Sequence, residues 1–220
     1  MQIAVTSVAA SGADDILVGV EMRDREHLQK ERFLISTELY ADLQISKGEC
    51  SRELYELLES ESKIYAAYKR GLYVLGFGAC SEKMLVSKLV AKGFEREASR
   101  IAAERIRERG FLSEENNARR EAERLAAKLW GETRIRAQLC SKGYDSDSVD
   151  DALFALEDSG VDFEDNCIKL VESKCKAKKL PSDRSELQKL IASVMRYGYS
   201  ASQVKHALSQ ISSRKPSIYD

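Results

Sequence analysis

Apolar positions along the C-terminal two thirds of the chain follow a pattern that occurs three times. Leu85 and Leu89, Ile135 and Leu139, and Leu190 and Val194 stand eight and four residues before Gly93, Gly143 and Gly198. Phe94, Tyr144 and Tyr199 follow these glycines directly. Nine, ten and thirteen residues beyond each glycine come Ala102, Ala103 and Ile106, then Ala152, Leu153 and Leu156, then Ala207, Leu208 and Ile211. Apolar residues at i and i+4 share one face of a helix. Glycine enters the left-handed conformation of a helix C-terminus without a steric penalty. Each copy therefore predicts a helix, a glycine cap, an aromatic staple and a second helix. The glycines lie 50 and 55 residues apart, which leaves room for a third helix after the first two copies. The expected fold is mostly α, with tandem three-helix repeats forming an elongated curved array.

Upstream, the pattern changes. Residues 2 to 8 are β-branched and partly alternating, Ile16 to Val20 is a second apolar run and Arg32 to Ile35 a third. They predict a small N-terminal antiparallel β element of three strands. Ser36 to Leu43 reads as a short helix and Lys47 to Glu49 as a turn. From Ser51 a long helical region carries Leu54, Leu57, Leu58, Ile64, Ala67, Tyr68 and Leu72, with Ser60 to Ser62 as a possible break. Gly76 and Gly78 end it before Ser81, an N-cap. The resulting division is a β-rich extension over 1–45, connecting helices over 46–80, repeat 1 over 81–130, repeat 2 over 131–182, a partial repeat 3 over 183–212, and a disordered tail over 213–220.

Within repeat 1 the expected helices are 81–92, 95–109 and 113–130. The last should bury Ala118, Ala122, Leu125 and Leu129, leaving Arg120, Arg124 and Lys128 as a basic stripe that Glu121 and Glu123 partly answer. Repeat 2 uses 131–142, 146–159 and 161–179. Asp183 with Glu186, and Ser200 with Gln203, are capping boxes for the third copy.

Charge changes the picture more than composition does. The formal net charge of the 220 residues is -1, yet residues 81 to 140 carry 14 basic and 10 acidic side chains while residues 1 to 80 carry 9 and 13. A polyanion should therefore meet the first repeat. The start of the chain lacks the pattern of a signal peptide, and no apolar run is long enough to span a bilayer, so a cytosolic protein with reduced thiols is expected. Five cysteines without a CxxC pair and two distant histidines predict neither a metal site nor a nucleophile. A glycine-rich phosphate loop, HExxH and a nucleophile elbow are all missing, which speaks against an enzyme.

The runs KLVAKGF, RIRERGFL-SEENNA and GETRIRAQLCSKGY, closed by the GYS-xxx-V-xx-AL element, resemble the RecX family of bacterial proteins that regulate the recombinase RecA. The stretch YAAYKRGLYVLGFGACSEKMLVSKL is similar to that family's lead into its first repeat, and the likeness covers about residues 64 to 211. Departures are Ser113, Glu114 and Asn117 where the family has an acidic pair and an aromatic, Trp130 in place of lysine, and Gln138 in place of glutamate. They touch surface and charge rather than the helical frame.

The resemblance implies a monomer without cofactor, metal or membrane. It would lie in the groove of the RecA filament on single-stranded DNA and suppress filament growth, ATP hydrolysis and strand exchange. That would place the chain in DNA repair, homologous recombination and the SOS response. Candidate RecA- or DNA-binding residues are Lys88, Lys92, Arg96, Arg100, Arg119, Arg120, Arg124, Lys128, Arg134, Arg136 and Lys142. Arg134 lies within the matched motif. Each could equally be part of a solvated helix face. Phe94, Tyr144 and Tyr199 are read as staples, and Trp130 as packing on a neighbouring helix. The alternative to a RecA regulator is a helical-repeat nucleic-acid-binding protein acting without RecA.

Overall fold

The structure, a computed structural model, describes residues 2–24, 27–175 and 180–213. It is mostly helical, with a small N-terminal antiparallel sheet. Two compact units divide it, Met1–Leu112 and Ser113–Asp220.

In the first unit, β1 (Gln2–Ala10), β2 (Asp15–Arg23) and β3 (Leu28–Ser36) form a meander, and β4 (Gly48–Glu49) closes the sheet in the order β3-β2-β1-β4. Pairing runs from Gln2 opposite Arg23 to Ala10 opposite Ile16, with a bulge between Val5 and Ser7. Alternation puts Ile3, Val5, Val18, Val20, Phe33 and Ile35 on one buried face. The sheet departs from expectation at two places. Residues 28–31, polar apart from Leu28, continue β3, because pairing with β2 holds them in extended form even though their side chains are largely solvated. Gly48 and Glu49 pair with Val5 and Ala4 as an edge strand rather than forming a turn. Buried Ile45 and Cys50 pin both ends of that segment, and the Cys50 N–H donates to the Ile3 carbonyl at 2.9 Å.

Ser36 caps α1 (Thr37–Leu43), its hydroxyl accepting from the Leu39 N–H. Ser51 does the same for α2 (Arg52–Gly76), accepting from Leu54. The serines at 60–62 do not interrupt α2. Ser62 turns toward the sheet, where its hydroxyl accepts the Leu34 N–H at 2.9 Å. One continuous helix thus serves two cores. Leu54, Tyr55 and Leu58 pack under the sheet, and Ile64, Ala67, Tyr68 and Leu72 pack against α3 (Glu82–Ala91) and α4 (Arg96–Glu108). Gly71 lets α4 approach closely, since a Cβ there would lie 2.5 Å from Ile106 Cδ1. Polar ties add to this packing. Arg105 is bidentate on Glu61 at 2.8 and 2.9 Å, Arg109 pairs with Glu38, and Lys69 and Tyr65 both reach Asp15. The hydrogen bonds from Lys69 and Tyr65 hold the Asp15 carboxyl below its ordinary pKa.

The second unit contains two further three-helix groups. The first comprises α5 (Glu114–Ala126), α6 (Glu132–Ser141) and α7 (Ser146–Asp158), around Ala118, Ala122, Leu125, Ile135, Leu139, Val149 and Leu156. The second comprises α8 (Phe163–Lys174), α9 (Arg184–Met195) and α10 (Ala201–Ser213), around Cys167, Leu170, Val171, Val194, Tyr199 and Val204. Packing therefore groups each third helix of the sequence period with the glycine-marked pair that follows it. Asp183 accepts from the Glu186 N–H, and Ser200 and Gln203 form a reciprocal capping box. α8 ends at Lys174, with Cys175 already extended. Residues 176–179, into which that helix is expected to run, and the tail from 214 onward lie outside the described residues.

The glycines act as the sequence suggests. Gly93 has φ +93°, its N–H donates to the Val90 carbonyl, and the Phe94 N–H donates to the Leu89 carbonyl. Gly143 at φ +85° makes the equivalent pair with Cys140 and, through Tyr144, with Leu139. This is the Schellman arrangement, which satisfies the last helical carbonyls. Without such a glycine, the third helix of repeat 1 was expected to run to 130, but it stops at Ala126. Leu129 takes the left-handed position itself, at φ +59°, with Leu129 N–H to Ala126 and Trp130 N–H to Leu125 completing the same motif. It is therefore not on the buried stripe of α5. It is half-buried against the α8–α10 group, which supplies the contacts that hold a leucine in this conformation.

Candidate functional site

Local sequence sets where each candidate cation stands. Lys88 is in the last turn of α3, Lys92 is its C-cap and Arg96 opens α4. A cation at a helix C-terminus is favoured by the macrodipole, so Lys88 and Lys92 need no carboxylate to be stable there. All three are exposed and, among the described residues, have no ion-pair partner. Arg100, one turn further, is different. Glu97 holds it at 2.8 Å and Glu104 at 3.5 Å.

The same division recurs in the second unit. Ala118, Ala122, Leu125 and Ala126 of α5 are buried, which turns Arg119, Arg120 and, just past the helix end, Lys128 to solvent. These three also lack an ion-pair partner among the described residues. Arg124 pairs with Glu121, its Nε at 3.0 Å, and Lys142 reaches the same carboxylate at 2.6 Å. Burial pushes the Glu121 carboxyl up, but the hydrogen bonds and charges of Arg124 and Lys142 outweigh it and hold the group below its ordinary value. Glu121 thus answers the stripe, while Glu123 remains solvent-exposed. Arg136 is taken by Asp150 and, at 3.5 Å, by Glu132.

Arg134 occupies a special position. Its guanidinium lies 3.7 Å from the centroid of the Trp130 ring and 5.1 Å from that of Tyr197, and it donates to the Arg196 carbonyl at 3.2 Å. Here α6 begins against the end of α9. The Gly131 N–H donates to the Tyr197 carbonyl at 2.7 Å, and the Tyr199 hydroxyl donates to the Leu129 carbonyl at 3.1 Å. A Cβ on Gly131 would meet the Gly198 carbonyl at 2.5 Å, and one on Gly198 would meet the Arg134 backbone N at 2.5 Å. Only two glycines permit that crossing. Trp130 packs on the α5–α7 core as expected, roofed by Arg134.

Of the eleven candidates, six are therefore exposed and uncommitted: Lys88, Lys92 and Arg96 in the first unit, Arg119, Arg120 and Lys128 in the second. The other five are engaged in contacts within their own unit. Not every face is basic. α7 turns Asp147, Asp150, Asp151, Glu157 and Asp158 outward around Phe154, which is 70% exposed, and a phosphate would be repelled there.

Tyr144 and Tyr199 are buried and Phe94 packs on the first helical core, so these aromatics are staples. The exposed aromatics are elsewhere. Tyr73 and Phe77, at the end of α2, are not among the residues the sequence singles out. Their signal was that they fall off the i, i+4 stripe of Ile64, Tyr68 and Leu72. Burial raises the Cys167 thiol to about 11, as befits an inert core cysteine. Among the described residues no three His, Cys, Asp or Glu side chains could hold a metal ion, and no helix is long and apolar enough to cross a membrane.

No family model matches the chain. It is 29% identical over 127 residues to the "Regulatory protein RecX" of Xanthomonas campestris pv. campestris (strain B100), a match covering 58% of this chain and 76% of that protein. It is 28% identical over the same length to the protein of that name from Xanthomonas axonopodis pv. citri (strain 306). Among solved structures, a "Crystal structure of regulatory protein RecX" superimposes with a TM-score of 0.74 at 18% identity, covering 94% of this chain and 99% of that one. RecX from Lactobacillus salivarius superimposes with a TM-score of 0.58 at 18% identity, covering 68% and 97%. In matched sequence this chain is similar to proteins named regulatory protein RecX, and it shares the fold of the solved RecX structures.

Proposed function

We propose that the chain is a non-enzymatic regulator that binds RecA and its single-stranded DNA filament and inhibits filament growth, ATP hydrolysis and strand exchange. The observation that carries this reading is the sequence likeness to proteins named regulatory protein RecX. The charge pattern supports it. A near-neutral chain with two groups of uncommitted cations suits a partner made of both protein and phosphate. Lys88, Lys92, Arg96, Arg119, Arg120 and Lys128 make the polyanion contacts, while Arg100, Arg124, Arg134, Arg136 and Lys142 hold their helices in place. The reading carries with it a monomer working in the cytoplasm.

The test is a RecA ATPase assay on single-stranded DNA, with the wild type and an Arg119→Glu, Arg120→Glu, Lys128→Glu variant. Inhibition by the wild type that weakens in the variant is the expected result. A wild type without effect on RecA, yet tightly bound to bare DNA in a salt-sensitive way, would instead favour a nucleic-acid-binding repeat protein acting alone.

A further inference from the structure

Arg70, Tyr73 and Phe77 lie at i, i+3 and i+7 on α2, on the face opposite buried Ile64, Ala67, Tyr68 and Gly71. Tyr73 is 56% and Phe77 78% exposed. The two rings meet edge to face, centroids 4.9 Å apart at 68°, and the Arg70 guanidinium lies 4.6 Å from the Tyr73 centroid. We infer that this cluster is a stacking platform for unpaired bases of single-stranded DNA. The inference rests on the RecA-filament reading above and adds to it which side chains touch the nucleic acid bases.

Three further observations select a base over an apolar protein socket. First, the face is open. Phe77 is 78% exposed and stands between Gly76 and Gly78, which have no side chains to cover it. Second, the surroundings are cationic. No Asp or Glu occurs from Ile64 to Ser81, and of its two cations Lys69 is held by Asp15, which leaves Arg70. Arg70 has no ion-pair partner among the described residues. Third, the helix polarity sorts the two ends of a nucleotide. Phe77 caps the C-terminus of α2, where the negative end of the helix dipole disfavours a phosphate. Arg70, nearly two turns earlier, is placed for the phosphate. An aromatic face with an arginine beside it is the sequence-tolerant way to hold single strands.

The experiment measures anisotropy of a labelled oligo-dT and of an abasic oligomer with the same number of phosphates, at one salt concentration and then across a salt series. Wild type is expected to bind oligo-dT more tightly than the abasic strand. Tyr73→Ala with Phe77→Ala should lose about tenfold toward oligo-dT, bind both strands alike and keep the wild-type salt slope. Phe77→Trp should retain the preference. Both rings are exposed, so circular dichroism melts of the variants should match wild type. The inference is overturned if the wild type binds neither strand or does not distinguish them, or if the double variant keeps its oligo-dT affinity. A double variant with unchanged DNA affinity but weakened RecA inhibition would mark the patch as a protein contact, which also overturns it. Base preference in a wild type that leaves RecA ATPase untouched would retain the platform and remove the RecA reading.

Discussion

Two glycines in this chain carry very different costs of substitution. At Gly93 a Cβ meets nothing within 4 Å, so Gly93→Ala costs only its left-handed backbone, about 1–2 kcal/mol. At Gly198 the same change adds a Cβ 2.5 Å from the Arg134 backbone N, and overpacking contributes about 1–3 kcal/mol more. Urea unfolding of the two variants should rank them in that order, and equal losses would show that α6 and α9 move apart freely. Glu121 governs a second measurable property. Its folded-state pKa is depressed, so the stability it contributes is fully present above the ordinary glutamate value of 4.5 and is lost as pH falls through the lower folded value. Glu121→Gln should therefore be less stable than wild type at neutral pH and show a shallower decline on acidification. A denaturation series between neutrality and pH 3 checks this.

Among the elements, α2 has the most to hold. Its N-terminal half completes the core of the sheet and its C-terminal half that of the first helical group, so the two cores share one rigid member. Leu58 is fully buried beneath the sheet. Leu58→Ala should cost about 2–5 kcal/mol through the cavity it leaves, seen as a lower urea midpoint, with amide exchange rising first in β1 to β3. If exchange rises equally in α3 and α4, the two cores melt as one. The serines at 60–62 suggest a break in the helical pattern because serine competes for backbone hydrogen bonds. The sheet removes that competition by giving the Ser62 hydroxyl a donor in Leu34.

For the molecule as a whole, net charge is a poor guide. A value of -1 coexists with uncommitted cations in both units and a carboxylate-lined α7. Changing Lys88, Lys92 and Arg96 to alanine should lower the salt dependence of binding to single-stranded DNA in the filament, by about 0.7 in the log–log slope for each phosphate that is no longer neutralised. The Arg119, Arg120 and Lys128 set should behave likewise. Arg136→Ala and Lys142→Ala, already neutralised by Asp150 and Glu121, should leave the slope unchanged. A slope that falls equally for the paired and unpaired sets would show that these ion pairs open on binding.

The sequence alone determined what depends on local backbone chemistry. Gly93 and Gly143 marked helix ends because few residues but glycine take that conformation cheaply, and i, i+4 apolar pairs such as Leu85 with Leu89 marked the buried faces. Ser36, Ser51 and Asp183 announced helix starts through their side chains. Tertiary structure decided what depends on partners distant in the chain. It placed Leu129 in a left-handed cap by packing it on α8–α10, and it drew Gly48 and Glu49 into the sheet beside β1. It also divided the candidate cations. Arg120 and Arg124 are indistinguishable by spacing, but only the second meets Glu121, and Arg134 is occupied by Trp130 and Tyr197. Helix propensity and capping act within a few residues. Whether a charge is already answered, or a ring already covered, is set by contacts that only the folded chain creates.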